Sequence, residues 1–459
     1  MNGMVGLVES GSPVMADLME RLSDARRRSD SLFQILHGDT FYERPIPERH
    51  RIIFYVGHLE AFDWNLLSSS ILSGLCGDGA VPRDFDRLFA FGIDPVGGGL
   101  PTDVPSDWPS LDAVRAYVAD VRNTLDDNLA KIAVDSAPGR DGFPLSTLLN
   151  VAIEHRLMHV ETLAYMFHQL PLSMKIRQAD SLSGKRQNDA PAVAQTMVPI
   201  PTGEVILGLP RNSESFGWDN EYEAQTISVP SFEIDGYKVT NSQYLEFIEA
   251  GGYETPSFWT EDDGNWKTSQ NISHPSFWKK ENNGWILRTM FEELPLPTAL
   301  DWPVYVSQAE AAAYARWAGK DLPTEAEWQR AAYGTADGEA RPYRWGAAPN
   351  PQLGNFDFQR WDPTPVDAFP AGKSFFGVHD LLGNGWEWTS TKFGPLPGFT
   401  PFPFYRGYSA DFFDGKHFVI KGGSSRTAAC MLRPSFRNWF QPHYQYVYAG
   451  FRCVKRQSI

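Results

Sequence analysis

The sequence predicts an α+β multidomain protein: an N-terminal four-helix bundle followed by a strand-rich domain with much irregular structure. Three observations carry this expectation. Up to about residue 170, apolar residues recur at three- and four-residue steps in four long stretches. Residues 172–195 are polar and lack a core stripe, as an interdomain linker does. Beyond them, short apolar runs alternate with Gly, Pro, Asn and Trp, and most of the 15 Trp lie there. The expected divisions are 14–171 for the bundle, 172–195 for the linker and 196–456 for the second domain.

In chain order, Leu18, Leu22, Ala25, Leu32, Ile35 and Leu36 mark a first amphipathic helix within 14–37. Pro45-Ile46-Pro47 interrupts the chain, and a second helix follows over 49–72, with Phe54, His58, Ala61, Phe62 and Asn65 on one side. Residues 74–108, rich in Gly, Pro and Asp, read as a long loop, and loops of that length in a compact domain are usually functional. A third helix is expected from Ser110, its cap, to about 133, with Val114, Val118, Val121 and Leu125 facing the core. The fourth runs from Leu145 to Leu170 without Gly or Pro, and Leu148, Ala152, His155, His159, Thr162 and Met166 form its stripe. In the second domain, Val205-Ile206-Leu207 and Phe232-Glu233-Ile234 read as strands, and 242–250, 307–318 and 325–332 as the helices that stand out.

Composition limits the function. A net charge of −15 argues against a nucleic-acid or anionic-membrane partner, since both need a basic surface. No apolar run approaches the roughly 18 residues of a membrane span, and the N-terminus lacks the pattern of a secretion signal. Three cysteines, Cys76, Cys430 and Cys453, do not suggest a disulfide framework. A reduced, cytoplasmic enzyme or binding protein is expected.

His155 and His159 lie about 40° apart around a helix, so both rings can face one point. That is a chelating arrangement; a pair of packed, hydrogen-bonded histidines is the alternative. His58 on a second helix would complete a three-imidazole set that suits a first-row metal and leaves coordination positions open. Glu161 falls about 200° around the helix from His159 and is expected outside that set. Gly383-Asn384-Gly385-Trp386-Glu387-Trp388-Thr389 reads mainly as a packed strand entry. Arg433-Pro434-Ser435-Phe436-Arg437-Asn438-Trp439-Phe440-Gln441-Pro442 could hold a carboxylate and offer an aromatic face to a cation, or could be a surface loop with a packed Trp.

Several runs together resemble a known combination. Residues 198–204 (VPIPTGE), 322–328 (LPTEAEW), 383–389, 421–424 (KGGS) and 449–452 (AGFR) are similar, in order, to the formylglycine-generating-enzyme/sulfatase-modifying-factor family. That resemblance implies a C-type-lectin-like fold. The first 170 residues, with His-x-x-x-His-x-Glu on the last helix and an earlier His, resemble a DinB-like four-helix bundle. The two in this order are similar to the EgtB-type sulfoxide synthases of ergothioneine biosynthesis and to the related ovothiol enzymes. The resemblance implies Fe(2+), non-haem, on His58, His155 and His159. It implies O2-dependent joining of a thiol sulfur to the imidazole carbon of hercynine, the thiol being cysteine or γ-glutamylcysteine. Asn438 and Trp439 match a clamp for the amino-acid end of hercynine. Phe440, where users of γ-glutamylcysteine would carry an acid, favours cysteine, and Arg83 and Arg87 are candidate partners of the donor carboxylate. Tyr405 and Tyr408 are the candidates for a catalytic tyrosine, Phe393 standing where one would be sought first.

Met158 occupies the place where EgtB-type chains commonly carry Gln and ovothiol enzymes an apolar residue. Histidine as acceptor therefore stays open, as does a selenol donor (a selenosugar) of the selenoneine-synthase type. Two further readings remain: a formylglycine-type oxidase, which needs a reactive cysteine pair, and a non-enzymatic lectin-like module.

Overall fold

The computed structural model describes residues 13–72, 84–90, 100–132, 139–178, 193–282, 284–335 and 349–456. The chain divides into two compact units, Met1–Ile176 and Arg177–Ile459. No helix of the described residues is long and apolar enough to cross a membrane.

The first unit holds four long helices: α1 (Pro13–Phe33), α2 (Ile52–Leu72), α4 (Leu111–Leu129) and α5 (Leu145–His168). A five-residue helix, α3 (Asp84–Leu88), and a 3-10 turn at Pro105–Asp107 lie within the stretch expected to be loop. Neither has the length to produce a periodic signal. Ser110 caps α4 as expected, its Oγ accepting from the Ala113 amide at 3.3 Å. α5 packs against both α1 and α2, and α2 also packs on α4. α2 is buried nearly all round and not on one side, since Tyr55, Leu59, Glu60 and Asp63 are as enclosed as Phe54, His58 and Ala61. Asn65, expected to share a side with Phe54, His58, Ala61 and Phe62, is exposed.

The second unit is α+β. Strand β1 (Met197–Ile200) pairs with β4 (Phe232–Asp235), and β4 also takes the C-terminal β12 (Val454–Arg456), both antiparallel. β2 (Gly203–Leu207) pairs with β3 (Gln225–Val229), and β5 (Trp278–Glu281), β6 (Gly284–Arg288) and β7 (Glu293–Pro295) form a meander. The fourth sheet has the order β10 (Asn438–Phe440), β9 (Phe418–Lys421), β8 (Trp386–Lys392), β11 (Ala449–Gly450). The expected helices appear as α6 (Asn241–Glu249), α8 (Gln308–Trp317) and α9 (Glu325–Tyr333). α7 (Glu261–Ser269) was not expected, because its charged sequence with an internal Gly carries no apolar stripe. Its start is held by Thr260, whose Oγ1 accepts from the Asp263 amide at 3.2 Å.

The Gly383–Thr389 run turns out to build the core. Asn384 adopts φ 63°, and its amide bonds Thr364, Asp380 and Asn355. Glu387, fully buried, accepts from Arg452 at 2.6 and 2.9 Å and from Lys238 at 3.0 Å. Two cations on one carboxylate keep its pKa below the usual range despite burial.

Candidate metal centre

The helical spacing of His155 and His159 works as the geometry required. Both rings lie on the α2-facing side of α5, with Nε2 atoms 3.1 Å apart. His58 approaches from α2, its ring centroid 5.4 Å from that of His155 and 5.0 Å from that of His159. One nitrogen from each of the three falls within 4.8 Å of the others, the one such group of His, Cys, Asp and Glu among the described residues. All three side chains are buried.

The surroundings settle the protonation state. His58 Nδ1 lies 2.8 Å from the Phe89 carbonyl, which can only accept, so the proton sits on Nδ1 and Nε2 keeps its lone pair. Burial lowers the His58 pKa to about 4 and those of His155 and His159 well below the ordinary value; neighbouring imidazoles and Arg156 push in the same direction. Phe62 stacks on His155 at 3.5 Å and 11°, and Phe54 on His58 at 4.8 Å and 21°. These walls fix the ring planes. Two nitrogens bound at right angles about 2.1 Å from one ion would stand about 3.0 Å apart, close to the 3.1 Å found between His155 and His159. Three neutral, convergent, buried imidazoles fit a divalent first-row ion. Glu161 is buried but lies outside the group.

The remaining expected residues fall as follows. Met158, on α5 between His155 and His159, is half-buried. Arg87 is exposed on α3, and Arg83 and Cys76 lie outside the described residues. In the second unit, Asn438, Trp439 and Phe440 form β10, all half-buried. Trp439 stacks on Phe393 at 4.0 Å and 7°, with Tyr408 edge-on at 5.4 Å and Phe412 at 5.6 Å. Tyr408 in turn stacks on the buried Trp218 at 4.0 Å, with Tyr405 beside it at 5.6 Å. Phe440 stacks on Tyr444 at 5.2 Å.

The segment leading into β10 is fastened by buried charges that sequence reading missed. Arg437 Nε and Nη2 donate to Glu325 at 2.8 and 3.0 Å, Arg433 Nε and Ser435 Oγ to Glu221 at 2.8 and 2.6 Å. Lys421 Nζ donates to the carbonyls of Pro434 and Phe436, and burial lowers its pKa to about 8. Cys453 is buried and Cys430 is exposed, both as free thiols. A cleft of about 780 Å³ in this unit is lined in part by Lys320, Lys392, Asp263 and His443. Much of its charge is committed locally: Lys320 to Asp235, Arg456 to Glu327 and His443 to Asp263.

Comparisons with known proteins follow the same division. Residues 21–163 match the DinB superfamily, and residues 183–457 match the sulfatase-modifying factor enzyme 1-like domain. The chain is 37% identical over 389 residues to the hercynine oxygenase of Mycolicibacterium smegmatis, covering 82% of this chain and 84% of that one. It is 36% identical over 360 residues to that of Mycolicibacterium thermoresistibile, covering 75% of each. It is 28% identical over 501 residues to ergothioneine biosynthesis protein 1 of Neurospora crassa, covering 92% of this chain and 56% of that one.

Proposed function

Since the chain belongs to the hercynine oxygenase family, we propose that it is an Fe(II)-dependent sulfoxide synthase of ergothioneine biosynthesis. It is an oxygenase enzyme acting on small molecules. The reaction joins the sulfur of cysteine, or of γ-glutamylcysteine, to the imidazole carbon of hercynine. One C–H and one S–H are lost, O2 gives one oxygen to the sulfur, and the other leaves as water. The observation that supports this most is the buried set of three imidazoles in a chain so similar to a hercynine oxygenase.

His58, His155 and His159 would hold the iron, which when bound activates O2 and acidifies the thiol. The chain's own part is positioning and exclusion. Three neutral imidazoles with no carboxylate among them would leave the charge of a bound ion uncompensated, a setting that would favour an anionic thiolate. The Phe54 and Phe62 rings keep water from the imidazoles. Trp439, with one face against Phe393, offers an aromatic surface to a quaternary ammonium, and Asn438 offers an amide to a carboxylate. Arg87, exposed on α3, is assigned with Arg83 to the donor's carboxylate. Tyr408 or Tyr405 would hold the proton at Oη that the imidazole carbon or the sulfur exchanges.

Met158 favours one alternative acceptor. A half-buried thioether beside His159 offers no strong hydrogen-bond donor, as an ovothiol-type synthase acting on histidine would tolerate. The test is aerobic turnover of the Fe(II)-loaded protein with hercynine or histidine and each thiol, read by mass spectrometry. Sulfoxide from hercynine is expected. Product from histidine alone would move the assignment to the alternative, and none from any pairing would overturn both.

A further inference from the structure

Within the bundle lies a charge cluster that ligand chemistry does not use. Arg156, the residue after His155, has no exposed surface; Glu60 and Asp63 are 1% and 0% exposed. Arg156 Nη1 donates to Glu60 Oε1 at 2.9 Å, and Nη2 donates to Asp63 Oδ2 at 2.7 Å and to the Leu59 carbonyl at 3.1 Å. Nη1 also reaches Ser29 Oγ of α1 at 3.4 Å. From α4, Arg122 Nε donates to the same Glu60 at 2.9 Å, and its two Nη atoms hold Asp30 of α1 at 2.7 and 2.8 Å. All four long helices meet at this cluster.

Buried ion pairs are weak evidence for stability, because desolvation offsets much of their attraction and apolar residues can replace them at no loss. What they do well is choose one geometry. Aliphatic ridges allow helices to settle one residue, about 1.5 Å, out of register at modest cost. A metal held from two helices does not allow it, since ligand distances tolerate only a few tenths of an ångström. The Arg156 guanidinium grips Glu60 and Asp63, nearly one turn apart on α2, from a point next to His155 on α5.

We propose that Arg156 is the positioning residue that sets the register of α2 against α5, and so brings His58 to the His155–His159 pair. This rests on the metal reading above. It is tested on the metal-free full chain by cobalt(II) titration against a competing chelator, with thermal unfolding measured in parallel. Arg156→Met is expected to lower cobalt affinity at least tenfold in protein that still unfolds cooperatively, and Arg156→Lys to recover part of it. Arg122→Met, which strips the outer cation from Glu60 but leaves the α2–α5 grip, should lower the melting temperature and leave affinity within threefold. Wild-type affinity in Arg156→Met, or an equal loss in Arg122→Met, would overturn the proposal. If Arg156→Met does not fold, Arg156→Met with Glu60→Gln and Asp63→Asn, which leaves no bare buried charge, is judged by the same tenfold criterion. Wild type that binds cobalt but makes no sulfoxide would sink the functional reading alone; wild type that binds neither cobalt nor iron would sink both.

Discussion

At the scale of single residues, burial does most of the chemistry at the three imidazoles. Each is enclosed, and His58 is locked in one tautomer by a carbonyl that cannot donate. His159→Ala is expected to cut bound iron at least tenfold and sulfoxide formation at least about a hundredfold, the upper end of what outer-sphere losses cost; metal analysis and product assay check it. Acid should act on the same residues. His58 titrates near 4 in the folded chain and near 6.5 when unfolded. Between those values the unfolded chain takes up the extra proton first. Stability of the metal-free protein is therefore unaffected by His58 above about pH 6.5 and falls as pH drops towards 4, by about 3 kcal/mol for this residue alone. Denaturant titrations with chelator at pH 7, 5.5 and 4.5 should show the loss. A flat profile would mean that the ring is hydrated.

At the scale of elements, two contacts hold the candidate residues in place and can be broken separately. Gly57, one residue before His58, faces the Phe89 ring so closely that a Cβ there would lie 2.3 Å from it. Gly57→Ala must push Phe89 aside, at about 1–3 kcal/mol of overpacking, and takes the Phe89 carbonyl away from His58. A drop in urea midpoint together with weaker metal binding is expected; a change in neither would show that α3 yields freely. In the second unit, Arg437→Met leaves Glu325 buried without its bidentate partner, a change that costs about 3–5 kcal/mol at such sites. Because Arg437 directly precedes Asn438, the variant should also raise the KM for hercynine more than it lowers kcat.

At the scale of the whole molecule, a sulfatase-modifying-factor-type domain shares one chain with a bundle that gathers three imidazoles. Fold alone does not assign the chemistry. Cys430 is exposed, and burial beside Asp235 raises the Cys453 thiol well above its ordinary pKa, so it is poorly suited to react as a thiolate. Replacing both, Cys430→Ser with Cys453→Ala, should leave sulfoxide formation within about threefold. A loss beyond tenfold in folded protein would return the formylglycine-type oxidase to consideration.

The four long helices and the position of both histidines on one stripe of α5 are legible in the sequence. These follow from 3.6-residue periodicity and four-residue spacing, which are local. It also carried the order of the two domain types in its motifs. α7 and α3 escaped it because neither has a stripe long enough to repeat. Tertiary structure alone decided that His58 faces the other pair, that Phe89 sets its tautomer, and that Trp439 stacks on Phe393. Each of these joins residues far apart in the chain, where no spacing rule applies. Arg156 shows the difference most sharply. In the sequence it is a charge between two histidines, with no partner within reach of a spacing rule; in the fold it is wholly buried, because Glu60 and Asp63 arrive from a helix nearly a hundred residues away to neutralise it.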